Sequence, residues 1–75
     1  MKNTREKVLQ AVASLQSATV QQLAEHVSVN PITIRHHLNN LEVENLVKRS
    51  EVRHGVGRPY MVYHLTEKGT RRFPV

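Results

Sequence analysis

The pair Asn30-Pro31 constrains this chain more than any other two residues. Asparagine is a strong helix N-cap, and proline suits the first helical position, where a backbone N–H would have no partner. A helix therefore starts at Pro31, and whatever precedes it must stop before. What precedes it is Thr19-Val20-Gln21-Gln22, with the spacing of a capping box. That box opens a short helix with Val20, Leu23, Ala24 and Val27 turned inward. Two helices joined by the brief Ser28-Val29-Asn30 interruption suit a helix-turn-helix. Ala24 is small where the helices must approach, and Val29 supplies an apolar plug in the turn.

The third helix runs from Pro31 to about Glu44. Its inner face is Ile34, Leu38 and Leu41, which fall within about 60° of one another. Asn45 follows, and asparagine is the best non-glycine residue for the left-handed turn that ends a helix. Ahead of all this, Asn3-Thr4-Arg5-Glu6 has capping-box spacing. Val8, Val12 and Leu15 then recur at helical intervals, with Leu9 and Ala11 on the flanks, predicting a first helix to about Gln16. After Asn45 the period changes. Leu46 to Arg53 and Tyr60 to Leu65 read as strands, joined through His54 to Pro59 as an antiparallel hairpin with a loose tip. Thr66 caps a final short helix through Arg72. Tyr60, Met61, Tyr63 and Phe73 read as packing residues. The expected order is helix, helix, helix, strand, strand, helix: a mainly α, α+β fold in one domain over residues 1–75.

A 75-residue chain buries only a thin and marginal core. Without cysteine there is no disulfide and no thiolate metal site, and the composition fits a reducing cytoplasm. Met1 to Gln16 is amphipathic rather than signal-like, and no window is long enough to cross a bilayer. The expectation is a soluble cytoplasmic protein with no membrane partner. Charge is distributed unevenly. In residues 1–45, Lys2, Arg5, Lys7 and Arg35 balance Glu6, Glu25, Glu42 and Glu44. In residues 46–75, Lys48, Arg49, Arg53, Arg58, Lys68, Arg71 and Arg72 face only Glu51 and Glu67, so the whole net charge of +5 lies there. A one-sided positive field favours a polyanion or an anionic membrane, although a merely solvated basic surface has the same composition.

The outer face of the third helix carries Ile32, His36, Asn39 and Val43, with Thr33, Arg35 and Asn40 at its margins. A solvated face would more often hold Glu/Lys pairs. These side chains are instead of the types that read base edges: arginine reaches guanine, asparagine reaches adenine, and methyl groups touch thymine. His36 points outward, while His37 lies at the edge of the buried face as a packed, hydrogen-bonded residue. The two diverge by about 100° and cannot share a metal, and His26, His54 and His64 have no ligand spacing. No paired carboxylates, nucleophile–base set or phosphate loop can be assembled, so neither an enzyme nor a cofactor is expected.

The segment TVQQLAEHVSVNPITIRHHLNNLEVENLVKR, followed by GRPYMVYHLTEKG, resembles bacterial and archaeal winged helix-turn-helix transcriptional regulators. It is nearest those of the ArsR, MarR, DeoR and PadR type, and their iron–sulfur-linked relatives with a GRP-x-x-x-Y-x-L-T-x-x-G wing. The resemblance covers residues 19–69, with the helix-turn-helix at about 19–45 and the wing hairpin at about 46–65. It implies sequence-specific binding of double-stranded DNA, helix 31–44 in the major groove and the 53–59 tip on the backbone or in the minor groove. It implicates Ile32, Thr33, Arg35, His36 and Asn39 in the groove, and Arg53, His54 and Arg58 at the wing. Gly55 and Gly57 would let the tip pass close to DNA, and Pro59 would keep Arg58 extended. Ser28 departs from the pattern, standing where such motifs have glycine. Cluster-ligating cysteines are absent, so iron–sulfur sensing does not transfer.

Phosphates are expected at the helix N-termini, on Thr19 to Gln21 and near Asn30. Lys48 is expected among them; strand alternation lets only one of Lys48 and Arg49 face the DNA. One helix and one wing read a short site, so a homodimer on a pseudo-palindrome is sensible, through Leu9, Ala13, Phe73 and Val75. A further effector domain or partner protein is left open. The alternative reading is a winged helix used as a protein–protein interaction or assembly module, with Ile32 and Val43 as its apolar patch.

Overall fold

The computed structural model describes residues 3–53, 55 and 57–73. Its elements follow the order α1 (Thr4–Leu15), α2 (Val20–Val27), α3 (Pro31–Val43), β1 (Val47–Val52), β2 (Tyr60–Leu65) and α4 (Glu67–Thr70). This is the α+β class and the element order read from the sequence.

Local side-chain chemistry starts each helix. Thr19 and Gln22 form both halves of a capping box, at 3.1 and 2.9 Å. Asn30 Oδ1 accepts from the Ile32 amide at 2.8 Å, with Pro31 behind it at the first helical position. Asn3 accepts from the Glu6 amide at 2.8 Å, but Glu6 spends its carboxylate on Arg72, 2.9 Å away, instead of reaching back. The endings are equally local. Asn45 adopts φ 62°, and the amides of Asn45 and Leu46 donate to the carbonyls of Glu42 and Leu41, both at 2.9 Å. That pattern is a Schellman motif, with its apolar contact between the buried Leu41 and Leu46. Ser28 ends α2 in the same left-handed region, at φ 62° and ψ 49°.

The core lies where α1, α2 and α3 meet the hairpin. Leu23 and Ala24 of α2, and Ile34, Leu38 and Leu41 of α3, are all buried, and Val29 packs against them from the turn. The buried face of α1 is Val8, Leu9, Ala11 and Val12. Leu15, expected inside, is 38% exposed because it sits in the last turn, where the chain departs. Leu9, expected at a dimer contact, is fully buried and unavailable to a partner.

α1 ends in a sharp reversal. Gln16 takes φ 69° and ψ −48°, and the Ser17 amide donates to the Leu15 carbonyl at 2.8 Å, a γ-turn of the strained, positive-φ kind. The reversal delivers Ala18 to the hairpin. Its N–H donates to the Tyr63 carbonyl at 3.0 Å and its carbonyl accepts from the Tyr63 amide at 2.7 Å, so residue 18 adds a one-residue third strand. β1 and β2 pair antiparallel with Val47 opposite Leu65, Arg49 opposite Tyr63 and Val52 opposite Tyr60.

The segment after β2 closes off the end of α3. Lys68 Nζ donates to the Glu44 carbonyl at 3.1 Å, the Thr66 hydroxyl donates to the Asn45 carbonyl, and the Thr66 amide donates to the Leu46 carbonyl at 3.0 Å. Three consecutive carbonyls from the C-cap of α3 onward are thereby satisfied by one short stretch, with an ammonium at the negative end of the dipole. Arg5 also pairs with Glu44. These contacts fix α3 against the hairpin and α1.

Candidate nucleic-acid interface

Burying Ile34, Leu38 and Leu41 leaves the opposite side of α3 to solvent. Ile32 is 77% exposed, Val43 is 86% exposed, and Thr33, Arg35, His36 and Asn39 are exposed as well. Among the described residues, Arg35 and Arg58 have no carboxylate partner. His37 is half-buried beside His36, with ring centroids 6.2 Å apart. Contrary to the hydrogen-bonded role expected for it, its Nδ1 is buried without a hydrogen-bond partner.

A groove of about 440 Å³ runs between α3, the start of α2 and the hairpin. Arg35 and Asn39 line it from α3, Thr19, Val20 and Gln21 from α2, and Arg49, Tyr60, Met61 and Tyr63 from the hairpin. Two of the expected base-reading residues thus share one concave surface with the hairpin base. Tyr60 and Met61, expected as packing residues, are 43% and 38% exposed and form part of its wall. Only Tyr63 of the hairpin aromatics is truly buried. Arg49 lines the groove, whereas Lys48 stands opposite His64 on the other face of the ribbon. The register puts the two neighbours on opposite faces of the ribbon with Arg49 on the groove side, which alternation alone does not specify.

At the hairpin tip Gly55 adopts φ 54°, a conformation that favours glycine, and a Cβ there would meet nothing within 4 Å. The tip is therefore open. Arg58 is exposed and lies two residues before the groove-lining Tyr60. Arg53 is tied to Glu51 at 2.8 Å. His54 lies outside the described residues, as does Val75.

The helix starts offer fewer free amides than expected. The Thr19 amide is taken by Gln22, and Gln21 uses its side chain to donate to Glu25 at 3.1 Å. At α3, Pro31 has no N–H and the Ile32 amide is taken by Asn30. First-turn amides without an intrahelical acceptor remain on Val20 and Gln21 in the one case and Thr33 in the other. No helix among the described residues is long and apolar enough to cross a membrane.

The fixed letters of GRP-x-x-x-Y-x-L-T-x-x-G now have physical meanings. Tyr63 makes the bridge to Ala18, Leu65 packs on the core, Thr66 caps α4 and closes α3, and Gly69 passes against the Leu46 carbonyl. Those four maintain the fold. Gly57, Arg58 and Pro59 lie at the exposed tip and do not.

No curated protein matches the chain. Solved structures do. The transcriptional regulator YodB from B. subtilis superposes with TM-score 0.83 at 19% identity, over 96% of this chain and 69% of that one. A MarR-like transcriptional regulator from Thermotoga maritima gives 0.79 at 29% identity, over 97% and 50%. Bacillus subtilis PadR, solved in complex with operator DNA, gives 0.77 at 13% identity, over 91% and 42%. The chain thus spans about half the length of the last two. The family model described as "Bacterial regulatory protein, arsR family" matches residues 2–49. Exposed side chains on the outer face of α3, an open cationic hairpin and this match agree: the chain belongs to the arsR family of bacterial regulatory proteins, and its winged helix-turn-helix is that of a DNA-binding transcriptional regulator.

Proposed function

We infer that the chain recognises a specific double-stranded DNA sequence with α3 in the major groove and the hairpin tip on the backbone or in the minor groove. Ile32, Thr33, Arg35, His36 and Asn39 contact base edges in this reading. Arg58 enters the minor groove, and the amides of Val20, Gln21 and Thr33 hold phosphates. The observation that carries it is the shared groove, in which Arg35 and Asn39 of α3 face Arg49 and Tyr60 of the hairpin. A duplex seated on α3 would meet both elements at once. Arg53 plays a lesser part, because a phosphate would have to compete with Glu51 for it.

The protein-interaction reading is weaker on the same observations. Ile32 and Val43 are the most exposed large apolar residues among the described ones, yet on α3 they stand about 16 Å apart along the axis. His36 and Asn39 lie between them, so they do not form a contiguous apolar patch. A homodimer on a pseudo-palindromic site, working in the cytoplasm, belongs to the same proposal, with Ala13 and Phe73 as its remaining described contact residues.

Selection of bound sites from random duplex DNA tests the reading. A recovered motif with defined guanine, adenine or thymine positions is expected, with two half-sites for a dimer. Recovery of unenriched sequence at low salt would contradict it.

A further inference from the structure

We propose that Arg49 is a phosphate-binding residue of the DNA interface, held ready in the groove by Glu42, whose carboxylate gives way to a backbone phosphate when duplex binds. This rests on the DNA-binding reading above and adds to it a contact on β1.

Placement comes first. The register sets Arg49 opposite Tyr63, so its side chain lies on the ribbon face that lines the groove with Arg35 and Asn39. A duplex that engages those two α3 residues brings its own backbone to the groove wall where Arg49 sits.

The state of the guanidinium is the second observation. Arg53, Arg71 and Arg72 each make a hydrogen-bonded ion pair, at 2.8, 2.8 and 2.9 Å. Arg49 does not. Its Nε stands 3.6 Å from Glu42 Oε2, and no hydrogen bond accompanies that contact. A guanidinium has five N–H donors in a rigid fork that matches phosphate as well as carboxylate. Here the fork is oriented by charge while its donors stay available. The Arg49 side chain is 56% exposed and that of Glu42 only 26%, so the acid is the deeper, more restricted partner. An exposed, long ion pair is weak, and exchange of its carboxylate for a doubly hydrogen-bonded phosphate oxygen pair costs little. Glu42 thus has two effects: it positions Arg49, and it competes with DNA for it.

The test is a fluorescence anisotropy titration of a labelled duplex carrying the selected site, over a series of salt concentrations. It uses the full chain as wild type, R49A, R49K, E42Q and the double variant E42Q/R49A. R49A should weaken binding about tenfold near 0.1 M salt and reduce the slope of log affinity against log salt by about one. R49K should keep the slope, because it keeps the charge. E42Q should tighten binding about threefold when Arg49 is present and give no gain in the double variant, the coupling that a double-mutant cycle isolates. An unchanged slope in R49A that still binds DNA overturns the proposal while leaving the DNA-binding reading intact. Equal tightening by E42Q in both backgrounds also overturns it, since that is simple repulsion of DNA by Glu42. Should R49A lose its circular dichroism signal, R49K and E42Q decide, and E42Q binding no tighter than wild type overturns it. A wild-type chain that binds no duplex defeats the underlying reading, and this one with it.

Discussion

Gly69 lies so close to the Leu46 carbonyl that any Cβ at that position would overlap the oxygen. The contact docks α4 on the exit of α3, where Lys68 and Thr66 satisfy the carbonyls of Glu44 and Asn45. Gly69→Ala must push the two segments apart. It should destabilise the protein by about 2 kcal/mol, in the range of overpacked sites. A domain of this size then melts roughly 8–16 °C lower, as a circular dichroism melt would record. An unchanged midpoint would mean that α4 does not sit there.

Ser28 and Asn45 both adopt φ 62°, and the two should respond oppositely to substitution. Ser28→Gly relieves a left-handed serine and should add about 1 kcal/mol. Asn45→Ala removes the residue best suited to that conformation short of glycine, and should cost about the same. Urea midpoints compared at equal m-values check both. A Ser28→Gly variant weaker than wild type would contradict the assigned backbone.

The one-residue strand at Ala18 makes a prediction about exchange. Its amide and that of Tyr63 are reciprocally bonded at 3.0 and 2.7 Å, and Ala18 is fully buried. Both amides should therefore exchange only through the larger openings of the domain, more slowly than those at the hairpin tip. Native-state hydrogen exchange followed by NMR measures this. Rapid exchange at Ala18 alone would show that the bridge is not part of the stable sheet.

What could be read from the residues was whatever is decided locally. Caps such as Thr19/Gln22 and Asn30-Pro31 act over three residues, and Asn45 announces the end of α3 without help from elsewhere. The inner face of α3 followed from spacing because Ile34, Leu38 and Leu41 are its strongest apolar set. The misses depend on distant partners. Leu9 and Leu15 are both apolar at workable helical angles, and only packing against the rest of the fold decides which one is covered. Ala18 has no periodic signal, since a strand of one residue has no period. Lys48 and Arg49 are adjacent cations on a strand, and only the pairing of Arg49 with Tyr63 determines which of them lines the groove. Tyr60 and Met61 look like core residues by type, but the open wall between α3 and the hairpin leaves them exposed.

In the proposed function labour is divided: α3 reads bases while the wing holds the backbone. Its most direct measurement is binding of Arg35→Ala and Arg58→Ala to the selected site and its single-base variants, each across a salt series. Arg35→Ala should lose about 1–3 kcal/mol of discrimination at one base pair and bind the variants there almost equally. Arg58→Ala should weaken binding to every sequence alike and lower the salt slope by about one. Both substitutions leaving discrimination and slope as in wild type would contradict the account.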